Sequence, residues 1–250
     1  MARLITALCA AVTLAVPIPS PALSTVLAPP ATTDYVEADP TNTTLLEGQF
    51  DANSYVTKTQ AAQPDAVKQT MASDGFVDGY WRTWIQNGTQ HVLIEIVMAF
   101  SGGAGATQWL GAAEAETKAD PSYKGSLSLT GIDPYYGAKF LYSNGHSTGQ
   151  AFAFVKGNDF FVVIFQSPQD DLGTSAADQA QAQYSAAPDL TIPKSQWPET
   201  AKSSPAAPAP AAAAKPSSLP IFPLIVAAAV VLIGLGGLMV VRSLRRSRGA

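Results

Sequence analysis

The sequence predicts an α+β domain, a mainly antiparallel sheet of five or more strands with about three helices packed on it, followed by one C-terminal transmembrane helix. Three observations carry this reading. Asn87-Gly88, Asn144-Gly145 and Gly157-Asn158 each sit between β-favouring runs, and two-residue hairpin turns need residues that accept positive φ. In the run from Ala151 to Ile164, Phe152, Phe154, Phe161 and Val163 share one face while Ala151, Ala153, Val155, Phe160, Val162 and Ile164 share the other. Strands apolar on both faces need cover on both faces. Finally, three segments combine helical spacing with start or stop signals.

In chain order, Arg3, an apolar run from Leu4 to about Ile18 and small residues at Ala22 and Ser24 describe a secretory signal peptide over 1–24. Cys9 follows Leu8 inside that run, which is the wrong setting for a lipidated cysteine. Once the leader is removed the chain has no cysteine, so the domain is expected to stand without disulfides. Residues 25–44, rich in Pro, Thr and Asp, are expected to be disordered. The domain proper is placed at 45–192. Pro64, with Val67 and Met71 on one face and Gly75 past the end, marks a first helix. A hairpin of 76–86 with 89–100 follows. Ala106, Trp109, Leu110 and Ala113, at i, i+3, i+4 and i+7, mark a second helix, with Glu114 four residues before Lys118. A short strand is expected within 125–130, then a meander of 135–143, 146–156 and 159–167. Ser175 and Asp178, in capping-box spacing, open a third helix.

Beyond the domain, 193–220 is Pro/Ala/Ser-rich sequence that reads as a semi-extended stalk. Ile221 to Val241 carries no charge, and at ~1.5 Å per residue it spans ~31 Å, the thickness of a bilayer core. Arg242, Arg245, Arg246 and Arg248 in the 242–250 tail orient that span with the tail in the cytoplasm and the domain outside, as a single-pass type I chain. An arginine-tailed apolar helix also ends cell-wall sorting signals, but Leu219-Pro220 lacks the Thr-Gly that such a signal needs.

Charge and motif content narrow the function classes. The 19 acidic residues and 10 of the 15 basic ones lie between leader and apolar span, a net charge near −9. Nucleic acid, which needs a basic footprint, is excluded as a partner. With no cysteine in the mature chain and two histidines, His91 and His146, thiol catalysis and a zinc site are unsupported. No nucleophile-elbow, zincin or EF-hand pattern occurs. No catalytic residue, cofactor or metal is therefore predicted. The carboxylates Asp170-Asp171 and Glu114/Glu116 read as solvated loop and helix charges. "GAGATQ" at 103–108 follows a strand and opens a helix, but Gln108 stands where a dinucleotide fingerprint has a small residue. It reads as a flexible loop whose helix N-terminus could receive an anion.

The stretches "GFVDGYWRTW", "HVLIEIVMAFSGGAGATQWL", "TGIDPYYGAKF" and "AFAFVKGNDFFVVIF" lay out a strand pair feeding a helix through a small-residue loop, then a meander. Over about Phe50 to Tyr184 this order resembles the α/β sandwich of PsbP-like domains, in particular the exported actinobacterial LpqN-type proteins. The chain departs from those lipoproteins in lacking a lipobox and having an apolar C-terminal span. The resemblance implies a binding or assembly module without a shared catalytic set, and it carries over no functional residue.

With Asn87-Gly88 as a two-residue turn, Trp84 faces His91, Arg82 faces Leu93, Trp81 faces Ile94 and Tyr80 faces Glu95. Alternation then puts Trp81 with Val77, Ile85, Val92, Ile94, Ile96 and Met98 on a core face. Asp78, Tyr80, Arg82, Trp84, His91 and Glu95 share the opposite face, a candidate recognition surface of aromatic area and hydrogen-bonding tips. The alternative is that a helix covers this face, with Arg82 and Glu95 satisfying each other. Three functions follow from these readings: a membrane-anchored extracytoplasmic module that binds an envelope protein or cell-wall component; a carrier of a small ligand or lipid between sheet and helices; or an envelope hydrolase built on a carboxylate pair.

Overall fold

The computed structural model describes residues 22–39, 45–142 and 147–201. The leader's apolar run, the stalk beyond 201, the apolar span and the basic tail lie outside the described residues. Among the described residues no helix is long and apolar enough to cross a membrane.

A 3-10 turn at Leu23–Thr25 precedes β1 (Tyr35–Glu37), β2 (Gly48–Phe50), α1 (Ala52–Lys58), α2 (Pro64–Ser73), β3 (Phe76–Gln86), β4 (Val92–Phe100), α3 (Gly103–Ala119), β5 (Tyr123–Ser126), β6 (Tyr135–Leu141), β7 (Thr148–Lys156), β8 (Asp159–Ser167) and α4 (Ser175–Ala186). A second 3-10 turn, Lys194–Gln196, and a helical turn, Pro198–Ala201, follow. The eight strands form one sheet in the order β1-β3-β4-β8-β7-β6-β5, with β2 beside β1 on the outer edge of β3. Every pairing is antiparallel. The α+β class, the antiparallel sheet and the three expected helices are all present. The expectation omits α1, β1 and β2, which have seven, three and three residues.

The two-faced meander is sandwiched as its pattern requires. On one side Ala151, Ala153, Val155, Phe160, Val162 and Ile164 join Trp81, Ile94, Ile96 and Met98 beneath α1, α2 and α3. On the other, Phe152, Phe154, Phe161 and Val163 join Trp84, Leu93 and Val97 beneath α4 and residues Val26 and Leu27. Phe50 fits the first layer by a close approach: its ring lies over Gly79, where a Cβ would collide with it, and stacks on Trp81 at 4.1 Å. Each such fully buried aromatic contributes about 2–3 kcal/mol of transfer free energy, before any gain from ring geometry.

At the β7–β8 turn Lys156 faces Asp159, and Gly157 adopts φ +64°, the two-residue hairpin that the sequence predicts. Asn144-Gly145 lies outside the described residues; the flanking register, Leu141 opposite Thr148, is the one a two-residue turn there would set. The third helix is capped differently from expectation. Its N-cap is Thr174, whose hydroxyl donates to Asp178 at 2.8 Å, so the hydroxyl–carboxylate pair is offset by one residue from Ser175.

Both expected boundaries of the domain move outward. Within the segment expected to be disordered, the described residues 25–39 pack on the fold, since Val26, Leu27 and Ala28 are buried and Tyr35–Glu37 is a strand on β3. At the other end, Trp197 donates to the Ile192 carbonyl at 2.8 Å and Glu199 accepts from Ala104 N–H at 2.9 Å, so 193–199 packs on the domain rather than starting a stalk. The sheet thus has an upper end, bearing Gln86, Val92, Thr148 and Ser167, and a lower end, bearing Phe76, Phe100, Lys156 and Asp159. With strands of nine residues at ~3.3 Å each, the two ends lie ~30 Å apart.

Candidate functional site

The β3–β4 hairpin decides where the six candidate residues fall. Its loop is four residues long, not two: Gln86 N–H donates to the His91 carbonyl at 2.8 Å, and Gly88 and Gln90 take the positive φ values of 96° and 65°. Thr89 braces the wider loop by donating to the Gln86 side chain at 2.6 Å, and Gln86 in turn donates to Asp34. From Asp78 to Ile85 the cross-strand partners therefore move by two residues from the expected register, to Arg82 opposite Glu95, Trp84 opposite Leu93 and Trp81 opposite Ile96. Because side chains alternate with period 2, a two-residue shift leaves the faces unchanged. A bulge between Phe76 and Asp78 does change one assignment: Val77, expected in the core, is 55% exposed. Ile85, also expected inside, is 36% exposed at the rim, across from Val36 on β1.

The candidate face is covered over most of its length. Trp84 is buried against Val26, Leu27 and Leu93, and Tyr80 is half-buried beside it. Glu95 is fully buried; Gln179 of α4 donates to its Oε1 at 2.8 Å. The cover consists of α4 and residues 26–29, which two glutamines on α4 fasten together. Gln183 accepts from Ala28 N–H at 2.6 Å and donates to the Val26 carbonyl at 2.7 Å, while Gln179 also reaches the Ala28 and Pro29 carbonyls at 3.3 Å.

Arg82 and Glu95 do not satisfy each other, although they are directly opposite. Arg82 Nε lies 2.9 Å from Glu37 Oε1 on the neighbouring β1, with its guanidinium 5.5 Å from the Tyr80 ring and 5.8 Å from the Trp84 ring. The half-exposed Glu37 gives the cation a partner at the rim, where far less hydration is lost than in a pair sealed beside Glu95. Burial then pushes the Glu95 carboxyl up to about 8, against smaller opposing effects of the Gln179 hydrogen bond and the Arg82 charge.

The remaining two candidates sit at opposite ends of the sheet. Asp78 accepts from Gln49 at 2.6 Å and lines a lower groove of about 340 Å³ with Tyr80, Ala22, Leu23 and Ser24. His91 lies at the upper end, its Nε2 3.0 Å from Asp171 Oδ1; the same oxygen accepts from the Ser167 hydroxyl at 2.5 Å. These two contacts, the Ser167 hydroxyl first, hold the Asp171 carboxyl below its usual range. The carboxylate is the middle member of this chain of contacts, so the serine proton points at Asp171 and not at an imidazole base, unlike a hydrolytic Ser-His-Asp relay.

His91 also lines an upper cleft of about 320 Å³ whose other walls include Tyr35, Phe165, Gln86, Asp178 and Gln179. Tyr35 and Phe165 meet edge to face at 6.2 Å. Sequence reasoning missed this cleft because Tyr35, Phe165 and Asp178 come from three distant segments, one of them expected to be disordered. By contrast, the space between sheet and α3 where a carrier would keep its ligand holds Trp81, Trp109, Phe50, Tyr55 and Phe100, each at most 1% exposed. The α3 N-terminus at the Gly102–Ala104 loop is taken by the chain's own Glu199 carboxylate. Among the described residues no cluster of three or more His, Cys, Asp or Glu could hold a metal.

No family model matches the chain, and no curated relative matches it, so the likeness to PsbP-like domains gains no support from either comparison. Among solved structures, the extracellular domain of PknH from Mycobacterium tuberculosis aligns with 68% of this chain and 98% of its own, at 13% identity and a TM-score of 0.44.

Proposed function

We propose that the chain is a membrane-anchored extracytoplasmic module that binds a component of a cell envelope and performs no catalysis. The leader, the Pro/Ala/Ser-rich stalk and the apolar Ile221–Val241 segment support the tether. The observation that carries the binding role is the upper cleft, open to solvent, walled by aromatic rings and edged by hydrogen-bonding side chains, on a domain whose interior is filled. Recognition surfaces combine such rings with polar tips.

The experiment is extraction and capture. A tagged full-length chain is cross-linked in intact cells, and membranes are then treated with detergent. The expected outcome is that detergent releases an intact chain still carrying its arginine tail, joined to an envelope component through the domain. Recovery of the chain in the soluble fraction, or of a chain without cross-linked envelope material, would count against the reading.

A further inference from the structure

Resting on that binding role, we propose that the upper cleft receives a basic side chain, lysine or arginine, from an extended segment of a partner protein.

The first argument is position. At the lower end Glu199 sits on the Ala104 N–H, and Trp197 lies where a Cβ on Gly103 would press against its ring. The chain therefore leaves the described domain at the lower end, toward the stalk and apolar segment read from the sequence. The upper cleft is ~30 Å away along the strands, at the end farthest from that exit. The exit through Trp197 and Glu199 therefore takes none of the cleft's walls.

The second argument is chemistry. Asp178 lines the cleft, Asp34 flanks it through its bond to the lining residue Gln86, and neither carboxylate forms an ion pair among the described residues. Asp34 accepts from Gln86, and hydrogen bonds from Thr32 and then Gln86 hold its carboxyl below the usual range. Asp178 accepts from Thr174 at 2.8 Å. Both keep free acceptor capacity, since a carboxylate offers about four lone-pair sites. Burial first, and then the charges of Asp34 and Asp171, push the Tyr35 phenol up to about 12. Tyr35 and Phe165 supply aromatic walls for the stem and charge of a long cation, and carboxylates supply its counter-charge. The domain's net negative charge steers such a partner in and repels polyanions.

The test uses the full-length protein in lipid nanodiscs and three probes: a fluorescent Gly/Ser dodecapeptide with two arginines, the same peptide with two glutamates, and chitotriose. Binding of the arginine peptide alone is expected, weakening as salt rises. Asp34→Asn and Asp178→Asn should each weaken it about three- to fivefold and together about tenfold or more, with Tyr35→Ala costing a similar factor to one of them. Asp178→Glu should restore binding, and tryptophan-monitored melting should show each variant folded. Equal binding of both peptides, no binding of the arginine peptide, binding of chitotriose alone, or wild-type affinity in the double variant would each overturn the assignment. Envelope cross-links that map away from the cleft would overturn it while leaving the binding role intact; a chain that captures nothing removes the role itself.

Discussion

Glu95 is the residue whose environment differs most from what its type prefers, a carboxyl with no solvent exposure on a central strand, one oxygen bonded by Gln179 and the other without a hydrogen-bond partner among the described residues. Asp159 repeats the theme at the lower end, where burial pushes its carboxyl up to about 7 despite a hydrogen bond from Thr191. Both folded-state values lie above the ~4 of an unfolded carboxylate. Folding therefore takes up protons between pH ~4 and about 7 or 8. The contribution of these two groups to stability is greatest below that window, falls as pH rises through it by up to ~1.4 kcal/mol per unit per group, and stays low above it. The domain should melt at a lower temperature at pH 8 than at pH 5. Glu95→Gln keeps the shape of the neutral acid, so it should stabilise the protein by ~4 kcal/mol at pH 8 and only ~1 kcal/mol at pH 5, as read by urea unfolding. An equal gain at both values would mean that packing, and not the proton, is responsible. Nothing local in "LIEIV" announces a buried acid: alternation puts Glu95 on the face of Trp84, but only α4 and residues 26–29 decide that this face is closed.

Among elements, the pairing of residues 26–29 with α4 shows most clearly what a sequence reveals and what it withholds. The capping-box spacing located the start of α4, and the turn dipeptides located β7 and β8, because the signals lie within each segment. The arm escaped notice because its partners, Gln179 and Gln183, lie about 150 residues away along the chain. A run such as "TVLAPPATT" is too short in apolar residues to declare itself, yet the glutamines satisfy its backbone while Val26 and Leu27 complete the layer over Trp84. The two-residue error in the β3–β4 register has a similar origin, since Thr89, Gln86 and Asp34 brace the longer loop from outside the Asn-Gly pair. Replacing both glutamines by leucine removes the side-chain bonds they make to the arm, together with the Gln179 bond to Glu95, and should cost ~2–4 kcal/mol. Amide exchange of residues 26–29 should then speed up while β7 and β8 stay protected, and iodide should begin to quench Trp84. Uniform loss of protection across the sheet would instead make the arm part of a single cooperative unit.

At the scale of the whole molecule, the chain is fastened at its lower end by contacts that converge from three loops. Asn158, in the β7–β8 turn, donates to the Phe100 carbonyl at 2.9 Å and accepts from the N–H groups of Thr191 and Ile192 at 3.0 and 3.1 Å. Trp197 and Glu199 then close over the Gly102–Ala104 loop, and Lys156 caps the end of α4 through the carbonyls of Tyr184 and Ala187 at 3.0 and 2.6 Å. These contacts place the start of any flexible tether after Glu199 and not at 193, which fixes which end of the sheet a pull on the tether would load. Lys194 and Lys202 make the point testable with trypsin, since they flank Trp197 and Glu199 in sequence. In the native protein Lys194, within the 3-10 turn under Trp197, should resist cleavage even though its side chain is exposed, because cleavage requires the local backbone to open. Trp197→Ala deletes the indole packing and the bond to the Ile192 carbonyl. Local opening, and with it cleavage at Lys194, should become at least tenfold more frequent while the melting temperature of the sheet barely moves. Cleavage at Lys194 that is already fast in the unaltered protein, or unchanged by the substitution, would mean that the tether begins where composition alone first placed it.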